Sequence, residues 1–80
     1  MVIMNGFRTR VLRALSDRDA YWTSDVAKTL RWPTGTTRRQ LMALEKLDYA
    51  ERVVKGGMGG QTSWRRTARG SAALEDHDDR

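Results

Sequence analysis

The side chains best suited to chemistry in this 80-residue chain are cations, and a dense set lies in residues 34–47, TGTTRRQLMALEKL. Projected on a helix at about 100° per residue, the stretch divides into two faces. Leu41, Leu44 and Leu47, with Thr37 beside them, share one side. Gly35, Arg39, Met42 and Lys46 share the other, with Arg38 on the flank. A guanidinium presents a planar fork of N–H donors that matches an oxyanion, and an ammonium acts as a point charge. One face of this helix is therefore built for burial. The other is either a solvated surface or a reading head for an anionic partner.

Other chemistries lack their residues. There is no cysteine, which removes disulfides and thiolate metal sites. The single histidine, His77, sits in an acidic end without the partners of a triad or a metal site. Asp76, Asp78 and Asp79 lack the spacing of a calcium loop. The GGMGG run at 56–60 lacks the Lys-Ser/Thr of a nucleotide-phosphate loop. The chain is expected to be neither an enzyme nor a cofactor carrier. No apolar run approaches ~18 residues, so a soluble cytoplasmic protein is expected, with no membrane partner and no small-molecule ligand evident.

The placement of charge says more than its total of +5. Residues 1–30 carry 5 basic and 3 acidic groups, residues 31–69 carry 9 and 3, and residues 70–80 carry 1 and 4. A positive zone followed by a short acidic end points to a polyanion, whether nucleic acid or an anionic membrane surface. A merely solubilising surface would carry the same composition. An amphipathic membrane helix fits less well, because no helix joins a wide apolar face to flanking lysines.

Several elements must position the cations. In residues 5–16, NGFRTRVLRALS, Phe7, Val11, Leu12 and Leu15 fall on one helical side, with Asn5 as a candidate N-cap. Tyr21-Trp22 precedes a second, shorter helix that Thr23 can cap and Asp25 can favour through the dipole, with Trp22 packing ahead of it. Pro33 ends that helix near Arg31-Trp32 and leaves a turn of about four residues before the basic helix. Asp48 is placed to close the basic helix in the left-handed conformation. Residues 50–55, AERVVK, and 61–67, QTSWRRT, then read as two strands around the glycine-rich turn. A lone hairpin is marginal, so Trp64 with Val53 or Val54 must pack on the helices. Residues 67–74, TARGSAAL, read as a short capped helix or turn, with Leu74 closing the core.

These patterns together resemble a winged helix-turn-helix domain, over about residues 7–74. Ser24-Asp25-Val26-Ala27 with Leu30 is similar to the family's second-helix pattern, and TTRRQLMALE at 36–45 to its recognition helix. Residues 48–52, DYAER, sit where such proteins have a glycine, two apolar residues and charges. WRRTARG at 64–70 resembles the aromatic-x-Leu-Thr-x-x-Gly exit from the wing. Thr37, Asp48 and Arg66 depart from that pattern, standing where the family has an aliphatic, a glycine and an apolar residue.

The resemblance implies a mainly α architecture with a small β-hairpin (α+β), a three-helix core plus a two-stranded wing. The domain is expected to span residues 1–74, and residues 75–80 to form an acidic, frayed tail. The resemblance also implies double-stranded DNA as partner, read by a recognition helix at about 34–47 in the major groove, as in small bacterial or phage transcriptional regulators. On that basis Arg38 and Arg39 are assigned to base edges or nearby phosphates, and Thr34 and Thr36 to phosphate or to helix capping. Gly35 allows close backbone approach, Met42 can touch a thymine methyl, and Lys46 faces phosphate. The wing at about 52–66 offers Arg52, Lys55 and Arg65 to the flanking backbone or minor groove, with Met58 at its tip. Arg8, Arg10 and Arg13 of the first helix are further candidates for backbone contact. So small a domain covers a short half-site, so a homodimer or a cooperative array is expected on DNA. The competing reading is a winged helix used for protein association, in which two of Trp22, Trp32 and Trp64 would be exposed together.

Overall fold

The computed structural model describes residues 6–53 and 62–78. Its elements run α1 (Gly6–Ala14), β1 (Tyr21–Trp22), α2 (Thr23–Leu30), α3 (Thr34–Lys46), β2 (Ala50–Val53), β3 (Ser63–Arg66) and α4 (Ala68–Asp78). Asn5, Val54, Lys55 and the glycine-rich turn with Met58 lie outside the described residues.

The core is made by the apolar stripes anticipated from spacing. Val11, Leu12 and Leu15 meet Val26, Leu41 and Leu44, and Tyr49, Ala50, Trp64 and Leu74 close over them. Two aromatic expectations are corrected. Phe7 is 59% exposed and Trp22 is 52% exposed, rather than packed. Phe7 instead meets Trp32 edge to face, with ring centroids 5.6 Å apart.

The sheet has three antiparallel strands in the order β1-β3-β2, not the two of a simple hairpin. Two residues are too short a run to show periodicity, and β1 exists only through its partners: Tyr21 pairs Trp64 and Trp22 pairs Ser63. On the far side of β3, Ala50 pairs Arg66, Glu51 pairs Arg65, Arg52 pairs Trp64 and Val53 pairs Ser63. Thr23 is consequently not a cap. Trp22 occupies the N-cap of α2 without a side-chain hydrogen bond. The Thr23 hydroxyl turns inward, accepting from Trp64 Nε1 at 2.9 Å and donating to Thr62 O at 3.3 Å. A buried indole N–H requires such an acceptor, and that demand overrides the local cap.

Three residues, Arg31 to Pro33, join α2 to α3. Arg31 adopts φ 59, and the N–H groups of Arg31 and Trp32 return to Lys28 O and Ala27 O at 3.2 and 3.0 Å. Asp48 ends α3 in the same way at φ 65, with Asp48 N–H to Glu45 O and Tyr49 N–H to Leu44 O, each 2.9 Å. This is the paired bonding of a Schellman close, and it fulfils the expectation for Asp48. Thr37 is fully buried, and its hydroxyl donates to Pro33 O at 3.1 Å, so a polar atom is tolerated at an aliphatic position.

Arg66, the other departure, is a tie. Its backbone N–H reaches Ser16 O at 2.8 Å, Nε donates to Ser71 Oγ at 2.9 Å and Nη1 donates to Leu12 O at 3.1 Å. A cation thus meets the C-terminal carbonyl end of α1, where the helix dipole favours it. Thr67 opens α4: its hydroxyl accepts from Gly70 N–H at 3.0 Å and donates to Asp48 O at 2.7 Å. α4 continues through Asp78, so residues 75–78 are helical. Nothing between Gly70 and Asp78 breaks a helix, and Ala72, Ala73, Leu74 and Glu75 all favour one.

Candidate nucleic-acid interface

Thr37, Leu41 and Leu44 are buried, which turns the opposite side of α3 to solvent. Thr34, Gly35, Thr36, Arg38, Arg39, Met42 and Lys46 are all exposed on this helix, Met42 by 40%. The N-cap is Pro33, with no side-chain cap bond, so capping does not occupy the hydroxyls of Thr34 and Thr36. The first amides of a helix have no intrahelical acceptor, and here they sit between two threonines and two arginines. That combination suits an oxyanion. Around Gly35 a Cβ would meet nothing within 4 Å among the described residues, so this point of the helix front is open.

The two flanks of this face differ. Arg38, Met42 and Glu45 follow at i, i+4 and i+7 and form the flank toward β2. On the other flank an open groove of about 440 Å³ is lined by Arg39, Met42, Ala43, Lys46 and Leu47 with Arg8 of α1. Three cations and three apolar residues line the groove. Of the three first-helix arginines, Arg8 is the one that joins Arg39 and Lys46 there. Its position on a helix wheel of α1 gave no such sign, because the crossing of α1 over α3 decides it.

The wing cations part company. Arg52 stands beside α3: its Nε donates to Glu45 Oε2 at 2.9 Å and its guanidinium carbon lies 5.1 Å from the Trp64 ring centroid. Arg65 alternates to the opposite side of the sheet, where its Nε is 3.4 Å from Glu51 Oε2. It lines a cleft with Asp17, Glu51 and Glu75 next to α4. The structure therefore gathers Thr34, Gly35, Thr36, Arg38, Arg39, Met42, Lys46 and Arg52 around one face and sets Arg65 apart. Lys55 lies outside the described residues. Glu45 escaped the sequence reading, because its partner lies seven residues on, across a helix end and a turn.

The tryptophans divide as well. Trp64 is core, Trp32 is half-buried and only Trp22 is exposed, so no two of them are exposed together.

This arrangement of helices, turn and three-stranded sheet recurs in solved structures. The chain superposes on S. aureus MepR in complex with DNA with a TM-score of 0.83, at 20% identity, covering 95% of this chain and 63% of that one. The fold is a winged helix-turn-helix. Streptococcus pneumoniae FabT in complex with DNA is similar at a TM-score of 0.81 and 21% identity, over 95% of this chain and 53% of that one. A putative DNA-binding protein from Ralstonia eutropha gives 0.75 at 20% identity and is matched over 98% of its own length, against 94% of this chain. The chain thus spans between half and two-thirds of MepR and FabT, but nearly the whole of the Ralstonia protein. No protein-family model and no curated protein matches the chain. Among the described residues no helix is long and apolar enough to cross a membrane.

Proposed function

We infer that this winged helix binds double-stranded DNA sequence-specifically, with α3 in the major groove and the wing on the flanking backbone or minor groove. The observation that carries the reading is the outward face of α3. It joins uncapped helix-front amides, two threonines, Arg38, Arg39 and Lys46 on a fold whose solved likenesses include two complexes with DNA. Arg39, on the groove side of the face, is assigned to base edges, where a bidentate Arg–guanine pair discriminates by about 1–3 kcal/mol. Arg38, Thr34, Thr36 and Lys46 are assigned mainly to phosphates, and Lys55 to the backbone beside the wing. Met42 is apolar and exposed enough to touch a thymine methyl. Two such domains, paired or arrayed on DNA in the cytoplasm, would give the length of site that regulation of transcription or a phage or mobile-element accessory role needs.

The test compares Arg39→Ala with Lys55→Ala across a panel of duplexes. The helix variant is expected to lose preference among sequences, whereas the wing variant weakens all of them evenly and flattens the salt dependence by about one counterion. An Arg39→Ala protein that keeps its full ranking of sequences removes base reading from that residue.

A further inference from the structure

Glu45 is the anomalous group of the interface. It lies on the flank of α3 two turns beyond Arg38, and a carboxylate there opposes a polyanion by simple electrostatics. Its Oε2 accepts from Arg52 Nε at 2.9 Å. Arg52 pairs directly with Trp64 across the β2–β3 ladder, and its guanidinium carbon lies 5.1 Å from that ring's centroid. The indole is 1% exposed and is held through Nε1 by Thr23 at 2.9 Å. One guanidinium therefore ties α3 to β2 and β3 one residue pair before the ladder's last described pair, Val53 with Ser63.

We propose that Glu45 and Arg52 are positioning residues that set the angle of the wing against α3, so that helix and wing meet one duplex together. The proposal rests on the DNA-binding reading of this face, and it moves Arg52 from a phosphate ligand to a strut. The Arg52 and Glu45 side chains are 43% and 37% exposed, a setting in which an ion pair adds little to folding. Its effect is on geometry: β3 is fixed on its far edge by β1 and by the Thr23 N–H bond to Thr62 O, whereas on the near edge Arg52 bonds β2 directly to α3. The pair also neutralises an acid that would otherwise face phosphate.

A direct DNA ligand and a strut predict opposite signs for the same change. If Arg52 grips phosphate, Glu45→Gln frees it and removes a negative charge, so binding tightens. If the pair is a strut, Glu45→Gln weakens binding about two- to fivefold despite the gain in net charge. The loss then belongs to the wing, and it disappears when the wing's own contact has been removed.

The experiment measures duplex affinity by fluorescence anisotropy for the wild-type chain, Glu45→Gln, Lys55→Ala and the double variant, with Arg52→Gln as a second probe. Thermal melts are run on each protein. The expected result is weaker binding for Glu45→Gln and for Arg52→Gln, with neither change costing anything further in the Lys55→Ala background. Tighter or unchanged binding by Glu45→Gln overturns the proposal. So does an equal loss in both backgrounds, the mark of a general structural defect. A wild-type chain without salt-dependent DNA binding overturns the site reading, and this proposal with it.

Discussion

Replacing Gly70 with alanine sets helix propensity against packing, and the structure says which wins. A Cβ at this position would lie 2.2 Å from Tyr49 O and 3.0 Å from both Tyr49 C and Arg66 Cγ. The carbonyl cannot turn away freely, because it accepts the Thr67 N–H at 3.0 Å. α4 must instead withdraw by on the order of 1 Å, which overpacks the contact at a cost of about 1–3 kcal/mol. The same movement strains the Thr67 bond that seats the helix, for about 1 kcal/mol more. Alanine returns about 1 kcal/mol through its higher helix propensity. The net loss is about 1–3 kcal/mol, and each kcal/mol lowers the midpoint by roughly 4–8 °C in a domain of this size. Thermal unfolding followed by circular dichroism is expected to show a fall of about 5–20 °C. An unchanged or higher midpoint would mean that α4 is not seated on Tyr49 as described.

Two of the buried threonines, Thr23 and Thr37, predict contrasting outcomes for one substitution. Thr23→Val leaves the Trp64 indole N–H without its acceptor and is expected to cost about 1–3 kcal/mol in urea unfolding. Thr37→Val removes only a second donor to Pro33 O, which keeps the Thr37 N–H at 3.1 Å, so its midpoint is expected to stay within about 1 kcal/mol of wild type. Arg31→Gly relieves an L-residue at φ 59 and is expected to raise the melting temperature by a few degrees. A drop in that melt would show that the Arg31 side chain makes contacts that outweigh its backbone strain.

What the residues reveal locally and what only the tertiary structure reveals divide along a physical line. The apolar stripes of the three core helices, the left-handed close at Asp48 and the buried Trp64 follow from spacing and residue type within a few positions. Thr23, β1 and Arg66 are exceptions, and each depends on partners in another element. Thr23 is a good cap by composition, but Trp64, 41 residues away, claims its hydroxyl. β1 is invisible because two residues carry no period and the strand is defined by β3. Arg66 reads as a misplaced charge until Leu12 O and Ser71 Oγ are found around it. At the interface, the exposure of Arg38, Arg39 and Lys46 was legible from the helix wheel alone. The alternation that carries Arg65 to the far side of the sheet was legible too, once the strand register was fixed by Trp64 facing inward. The pairing of Arg52 with Glu45 was not, because it depends on how β2 returns beside α3.

The central claim is that the α3 face reads duplex DNA, and binding-site selection from random duplexes at two salt concentrations tests it most directly. One enriched motif is expected, with an affinity that falls steeply as salt rises, in proportion to the phosphates that the cations of α3 and the wing neutralise. Recovery of no motif, together with binding that salt does not weaken, would contradict the claim.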